Sequence, residues 1–270
     1  MTRLSKSLED LGRNNEAALI CFITAGDPDI GMTEQLVVEM DRAGVDAIEL
    51  GIPFTDPLAD GKTIQEASER ALAHTITIDT VLSSVKKLRK TTDVPIVLMT
   101  YCNPVMQYGI ERFASQCGRS GVDGVIITDL PPEEGGEWIK HARKNEVNTI
   151  FLLSPTSTEE RMESVGRQAT GFIYCVARIG VTGAQQSLPT DLKQLVRKIR
   201  QRTDKPIGVG FGISQPEHIR SIVNDVGADA VIVGSALINL IQDSLKAGKD
   251  PLEVISKRVA QLKKATRRNG

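Results

Sequence analysis

Ala43-Gly-Val-Asp-Ala-Ile-Glu-Leu50, Ser120-Gly-Val-Asp-Gly-Val-Ile-Ile127 and Val226-Gly-Ala-Asp-Ala-Val-Ile-Val233 are three versions of one eight-residue phrase. In each, a glycine that can take the left-handed conformation ends a helix, and a short link leads into an apolar run. Runs that are apolar at successive positions mark strands covered on both faces, as in a parallel sheet. A second phrase, Thr92-Asp-Val-Pro-Ile96, returns as Thr203-Asp-Lys-Pro-Ile207. Its proline takes the first residue of a strand, one of the few strand positions open to it. The third and fourth strands are thus echoed by the seventh and eighth, 111 and 106 residues later. That is the offset of two half-barrels of four units each.

Working outward, runs of the same kind lie at 19–24, 47–50, 96–100, 124–128, 149–154, 172–176, 207–210 and 230–233. Amphipathic stretches separate them. Leu36, Val37, Met40 and Ala43 fall at helical spacing within 31–43, and Val81, Leu82, Val85 and Leu88 within 80–90. Eight strands alternating with helices predict an α/β fold of the (β/α)8 TIM-barrel type, as a single domain over 1–270. An extra N-terminal helix over 2–13 is expected to close the barrel bottom. A short extra helix over 236–241 is expected after strand eight. The basic tail 263–270 reads as a solvated helix end carrying cations.

Composition bounds the function. The 270 residues carry 33 basic and 34 acidic side chains, for a net charge of −1. This removes a general electrostatic case for nucleic acid or an anionic membrane. No apolar run approaches the roughly 20 residues that span a bilayer. The first residues include acids and lack an apolar signal core, so a cytoplasmic location is expected. Cys21, Cys102, Cys117 and Cys175 are scattered and read as reduced thiols. His74, His141 and His218 form no zinc spacing, so no metal is expected.

In a barrel of this kind, function lies on the loops that follow the strands. Glycine-rich turns follow the last three: 178–183, 210–214 and Gly234-Ser235. Successive free N–H groups and a helix N-terminus there would hold a phosphate. Strand two ends in Glu49, between Ile48 and Leu50. If those two face the helices, alternation turns Glu49 toward the barrel mouth. Apolar surroundings would raise its pKa and make it a proton shuttle; a structural Glu held by an ion pair or backbone donors is the alternative, and a place at the active face favours catalysis. Asp56 and Asp60 sit on the loop that follows. Taken alone they are solvated acids, and Asp60 fits a cap for a helix over 63–72. Strand ends lack a lysine for Schiff-base chemistry, and no GxSxG elbow or P-loop is present. What remains is carboxylates and a phosphate anchor, suited to proton-transfer chemistry on a phosphorylated small molecule, either an isomerisation or a lyase step.

The block Glu49-Leu-Gly-Ile-Pro-Phe-Thr-Asp-Pro-Leu-Ala-Asp-Gly61 closely resembles the signature of the tryptophan synthase alpha subunit. The likeness runs in order through Phe22-Ile-Thr-Ala-Gly-Asp-Pro28, 101–109, 123–134, Gly180-Val-Thr-Gly183, Gly210-Phe-Gly-Ile-Ser214 and Gly234-Ser235. It implies a lyase of tryptophan biosynthesis that cleaves indole-3-glycerol phosphate to indole and glyceraldehyde 3-phosphate without a cofactor of its own. It also implies a pyridoxal-phosphate beta chain as partner, in an alpha2-beta2 assembly. Two alternatives stay open, a stand-alone lyase that releases indole and a catalytically silent activator of a beta chain.

By position, the resemblance makes Glu49 the proton shuttle and Asp60 the acceptor of the indole N–H, with Tyr174 near Glu49 and the glyceryl chain. It assigns Gly183, Phe211, Gly212, Gly234 and Ser235 to the phosphate, and Phe22, Ile64 and Met99 to an apolar indole slot. Ile126 is a weaker candidate for that slot, with ordinary core preferred. The loop 177–189 would be a lid, with Thr182 reaching Asp60. Asp56, Pro57, Asn103 and Pro131 are the expected partner contacts. Cys21, Lys62 and Met99 depart from commoner residues of the family, and Cys21 is expected at the pocket wall.

Overall fold

The computed structural model describes residues 1–176, 190–210 and 212–268. The apolar runs form β1 (Ala18–Thr24), β2 (Ala47–Gly51), β3 (Ile96–Thr100), β4 (Gly124–Ile127), β5 (Asn148–Leu153), β6 (Ile173–Val176), β7 (Ile207–Gly210) and β8 (Ala230–Val233). They close in sequence order into a barrel, every pair parallel, with β1 on β8 sealing the ring. Strand bounds differ from the expected runs by at most one residue at either end.

Two apolar layers result from alternation along each strand. On β1, Leu19, Cys21 and Ile23 pack outward with helix side chains such as Leu36 and Met40, while Ala18, Ile20 and Phe22 fill the interior. On β2, Ile48 and Leu50 join the outer layer, so Glu49 between them turns inward as expected. Register sets Glu49 beside Phe22 on one side and Val97 on the other. Cys21 belongs to the outer layer, which corrects its expected place at the pocket wall.

Helix Arg3–Arg13 closes the bottom. Its Leu4 and Leu8 enter the interior layer, and Leu4 is fully buried. Thr2 caps the helix and accepts at 2.6 Å from Nδ2 of Asn148 at the start of β5.

The echoed phrases have a physical basis. Gly44, Gly121 and Gly227 have φ of +92°, +83° and +81°, the left-handed turn that the pattern predicts. The aspartate two residues on ties its strand to the previous one. Asp46 accepts the N–H of Leu19 at 2.7 Å, Asp123 that of Ile96 at 2.9 Å, and Asp229 that of Ile207 at 2.9 Å. Each aspartate returns its own N–H to the carbonyl of the same residue. The second phrase repeats as well: Thr92 and Thr203 each accept the N–H two residues on. Pro95 and Pro206 contribute a carbonyl where no N–H is needed, to Ile48 and Ile173.

Those aspartates also explain one of two departures from expectation. The tail is not simply solvated. Lys263 bonds both oxygens of Asp46 at 2.9 and 2.8 Å, and Arg268 reaches Asp229 at 3.3 Å. The last helix supplies the cation for Asp46, and Arg268 beyond it joins Arg200 at Asp229. The helix after β8 runs over Ser235–Lys246, well past 241. Its periodicity continues through buried Ile241 and Ser244, and Gly248 (φ +66°) comes only after its end. Among the described residues, no helix is long and apolar enough to cross a membrane.

Candidate active site

A cavity of about 290 Å³ opens at the C-terminal end of the barrel. It lies at the lower end of the range for small-molecule sites, about 300–1,000 Å³. Three kinds of surface line it. Glu49 and Asp60 supply carboxyls, while Phe22, Ile64, Met99 and Ile232 supply an apolar wall. Gly212, Ile213 and Ser214 after β7, with Gly234, Ser235 and Ala236 after β8, supply backbone. Gly234 stands at the cap of helix Ser235–Lys246 with no side chain capping it, so the amides of Ser235 and Ala236 lack an intrahelical acceptor, while that of Leu237 turns back to the Gly234 carbonyl at 2.8 Å.

Glu49 is 1 % exposed, and neither of its carboxyl oxygens has a hydrogen-bond partner. Burial, then the nearby charge of Asp60, pushes its pKa up to about 8. Burial also raises Asp60, to about 6, against a lowering hydrogen bond from Tyr101. The Tyr101 hydroxyl also accepts the N–H of Ala59 at 3.1 Å, fixing the loop that carries Asp60. Near neutrality one carboxyl is therefore protonated and the other ionised, a division set by environment alone. Tyr174 lines the same cavity, and burial, Glu49 and Asp60 together hold its phenol well above the ordinary value, so it remains a neutral donor. It needs glycine opposite: a Cβ on Gly210 would stand 2.2 Å from the Tyr174 hydroxyl oxygen.

Asp60 is not a helix cap. Gly61 takes that position ahead of helix Lys62–Leu72, without a side-chain bond, while Asp60 turns to the cavity and its Oδ1 is buried unpaired. Of the expected apolar slot, Phe22, Ile64 and Met99 line the cavity, whereas Ile126 sits in the interior layer below. Gly212, Gly234 and Ser235 line the same cavity. Thr182, Gly183, Phe211 and the loop 177–189 lie outside the described residues. Asp56 and Asn103 are exposed, and Pro57 and Pro131 are half-buried. Lys62 points to solvent beside Glu66, away from the cavity.

Sequence reasoning passed over Ser214, Ala236, Asn239, Ile232 and Tyr101. Ile232 was legible from alternation with Ala230, and Asn239 from its place one helical turn beyond Ser235. Tyr101 had no local signal, because its partners Ala59 and Asp60 are distant in sequence.

Comparison with known proteins decides the family. A family model described as "Tryptophan synthase alpha chain" matches residues 8–267. A tryptophan synthase alpha chain of Pelobacter propionicus is 45% identical over 265 residues, 98% of each chain. The chain belongs to the tryptophan synthase alpha chain family. Solved structures agree. That of tryptophan synthase subunit alpha from Legionella pneumophila str. Paris superposes with a TM-score of 0.88 at 41% identity, covering 98% of both chains. A chain from the tryptophan synthase a2b2 complex of Pyrococcus furiosus does so with a TM-score of 0.85 at 39% identity, over 92% of this chain and 98% of that one. As a tryptophan synthase alpha chain, the protein takes the alpha-subunit role in tryptophan biosynthesis and carries out a lyase reaction of that family.

Proposed function

We propose that this chain cleaves indole-3-glycerol phosphate to indole and glyceraldehyde 3-phosphate, with Glu49 and Asp60 as its acid–base pair. The observation that carries this reading is one cavity lined by the two carboxyls Glu49 and Asp60, by apolar Phe22, Ile64 and Met99, and by the uncapped start of helix Ser235–Lys246. A flat heterocycle fits between Phe22, Ile64 and Met99, and a phosphate fits the amides at 234–236.

The chemistry follows from the protonation states. Glu49 donates its proton to C3 of the indole, which gives a 3H-indolium ion. The Asp60 carboxylate accepts the ring N–H and stabilises that cation in a low-dielectric site. The Glu49 carboxylate then takes the proton of the hydroxyl on the adjoining glyceryl carbon. The carbon–carbon bond breaks as the aldehyde carbonyl forms, and its electron pair restores the indole ring. Glu49 ends protonated, as it began, and no net proton is consumed. Tyr174 stays neutral and offers its hydroxyl beside the glyceryl chain.

Indole crosses membranes readily, so a lyase gains from passing it to a second enzyme. The a2b2 complex named for the Pyrococcus furiosus relative supports a beta chain as that partner. Leu58 is 94% exposed on the loop after β2 that also carries Asp56 and Pro57, and Met106 is 63% exposed on the short helix Cys102–Tyr108 after β3 that carries Asn103. Apolar side chains held out at the active face suit a protein interface.

The test is turnover of indole-3-glycerol phosphate by Glu49→Gln. A loss of about 10²–10⁴ is expected for a positioned acid–base group. Turnover near that of the wild type would overturn the assignment.

A further inference from the structure

The turn after β7 forms one wall of the cavity through Gly212, Ile213 and Ser214. A backbone turn that receives an anion must keep its carbonyl oxygens away from it, because a flipped peptide replaces a donor with a lone pair. At Ser214 both main-chain groups are engaged by side chains. Its N–H donates to Nδ1 of His218 at 3.5 Å, and its carbonyl accepts from Nη2 of Arg258. The same nitrogen of Arg258 also donates to Oε1 of Gln215 at 3.0 Å. Arg258 projects from helix Pro251–Lys264, outside the ring of strands, and its Nη1 is steadied by Gln261 on that helix at 3.3 Å. Among the described residues, no carboxylate pairs with Arg258. A full positive charge is thus committed to a main-chain carbonyl and an amide behind the cavity wall. Charge-assisted bonds of this kind are the stronger ones, and the two N–H groups of Nη2 serve both acceptors while Nη1 is held by Gln261.

We propose that Arg258 is a positioning residue for the phosphate end of the site. It holds the 214–215 peptide with its carbonyl turned outward, and its unneutralised charge backs the turn that faces the anion. His218 fixes the other side of the same residue. Arg258 touches neither the substrate nor the reacting carbons, so it acts on binding of the phosphate and not on proton transfer. This inference rests on the reading of the cavity given above.

The experiment is steady-state turnover of indole-3-glycerol phosphate by the wild type, Arg258→Ala and Arg258→Lys, with inhibition by inorganic phosphate and, separately, by indole. For Arg258→Ala, KM is expected to rise and phosphate inhibition to weaken by about tenfold, with kcat within about twofold. Inhibition by indole, which lacks the phosphate, is expected to be unchanged. Arg258→Lys keeps the charge on a single donor nitrogen and is expected to recover part of the loss; it carries the comparison if the alanine variant does not fold. Equal phosphate inhibition in wild type and both variants would overturn the proposal. So would equal weakening by phosphate and indole, which marks general loosening of the barrel. If the wild type itself is insensitive to phosphate, the reading of the cavity end fails first and the proposal falls with it.

Discussion

Glu49 is buried with both oxygens unpaired, and that has a measurable consequence for stability as well as for rate. In the unfolded chain its carboxyl loses its proton near the ordinary value of 4.5, and in the folded chain near about 8. Below the first value the two states hold the same proton. Between the two, the folded state holds a proton that the unfolded state has released, so stability falls as pH rises and levels off above about 8, with a slope of at most about 1.4 kcal/mol per pH unit. Glu49→Gln removes that dependence. Thermal unfolding across this range should show the variant gaining on the wild type as pH rises, and parallel curves would contradict the burial argument. The same two groups set the rate profile. The proposed mechanism needs Asp60 ionised and Glu49 protonated, so kcat/KM should rise near pH 6 and fall near pH 8. Asp60→Asn should remove the acid limb from whatever activity remains. Glu49 was legible in the sequence because two apolar neighbours fixed its direction. Asp60 was not, because a loop acid before a helix looks like a cap until the loop's path is known.

At the scale of elements, the repeated aspartates do what a strand-and-helix pattern cannot reveal. The phrase itself was visible, and so were its left-handed glycine and the strand that follows. The carboxylate's acceptance of an N–H from the preceding strand was not visible, since those residues are 22 to 27 positions apart. The three sites differ in their cations, and this allows a graded prediction. Asp123 is 3% exposed and pairs with Arg89, itself only 10% exposed, at 2.7 Å. Asp46 and Lys263 are wetter, at 13% and 22%. Removing one partner of a buried pair strands the other without solvent, at a cost of about 3–5 kcal/mol. Asp123→Ala should therefore lose about that much stability, and Asp46→Ala clearly less. Urea unfolding followed by the emission of Trp138, the one tryptophan in the chain and 2% exposed, measures both. Equal losses would mean that the shared backbone bond, and not the ion pair, sets the contribution.

Across the whole molecule, the eightfold pattern told which end of the barrel would carry chemistry before any side chain was placed, because strand direction and loop order follow from the alternation. What it left open was depth. Ser214 and Ala236 reach the cavity only because the turns after β7 and β8 converge, and convergence of distant turns leaves no local mark in a sequence. The same geometry joins the site to the outer face. The loop after β2 carries exposed Leu58, then Ala59 bonded to Tyr101, then Asp60 in the cavity, within three consecutive residues. A partner that buries Leu58 necessarily constrains the backbone that sets Asp60. This gives a prediction that separates docking from chemistry. Leu58→Asp places a charge in the centre of the expected contact and should weaken association with a beta chain by about tenfold or more, measured by titration calorimetry or on a sizing column. The variant chain alone should turn over indole-3-glycerol phosphate at the rate of the wild type alone, because the side chain points away from the cavity. The increase in rate on adding the beta chain should then be recovered only at correspondingly higher beta-chain concentrations. Undiminished binding by Leu58→Asp would move the interface to another face, and the route from partner to Asp60 through this loop would have to be abandoned.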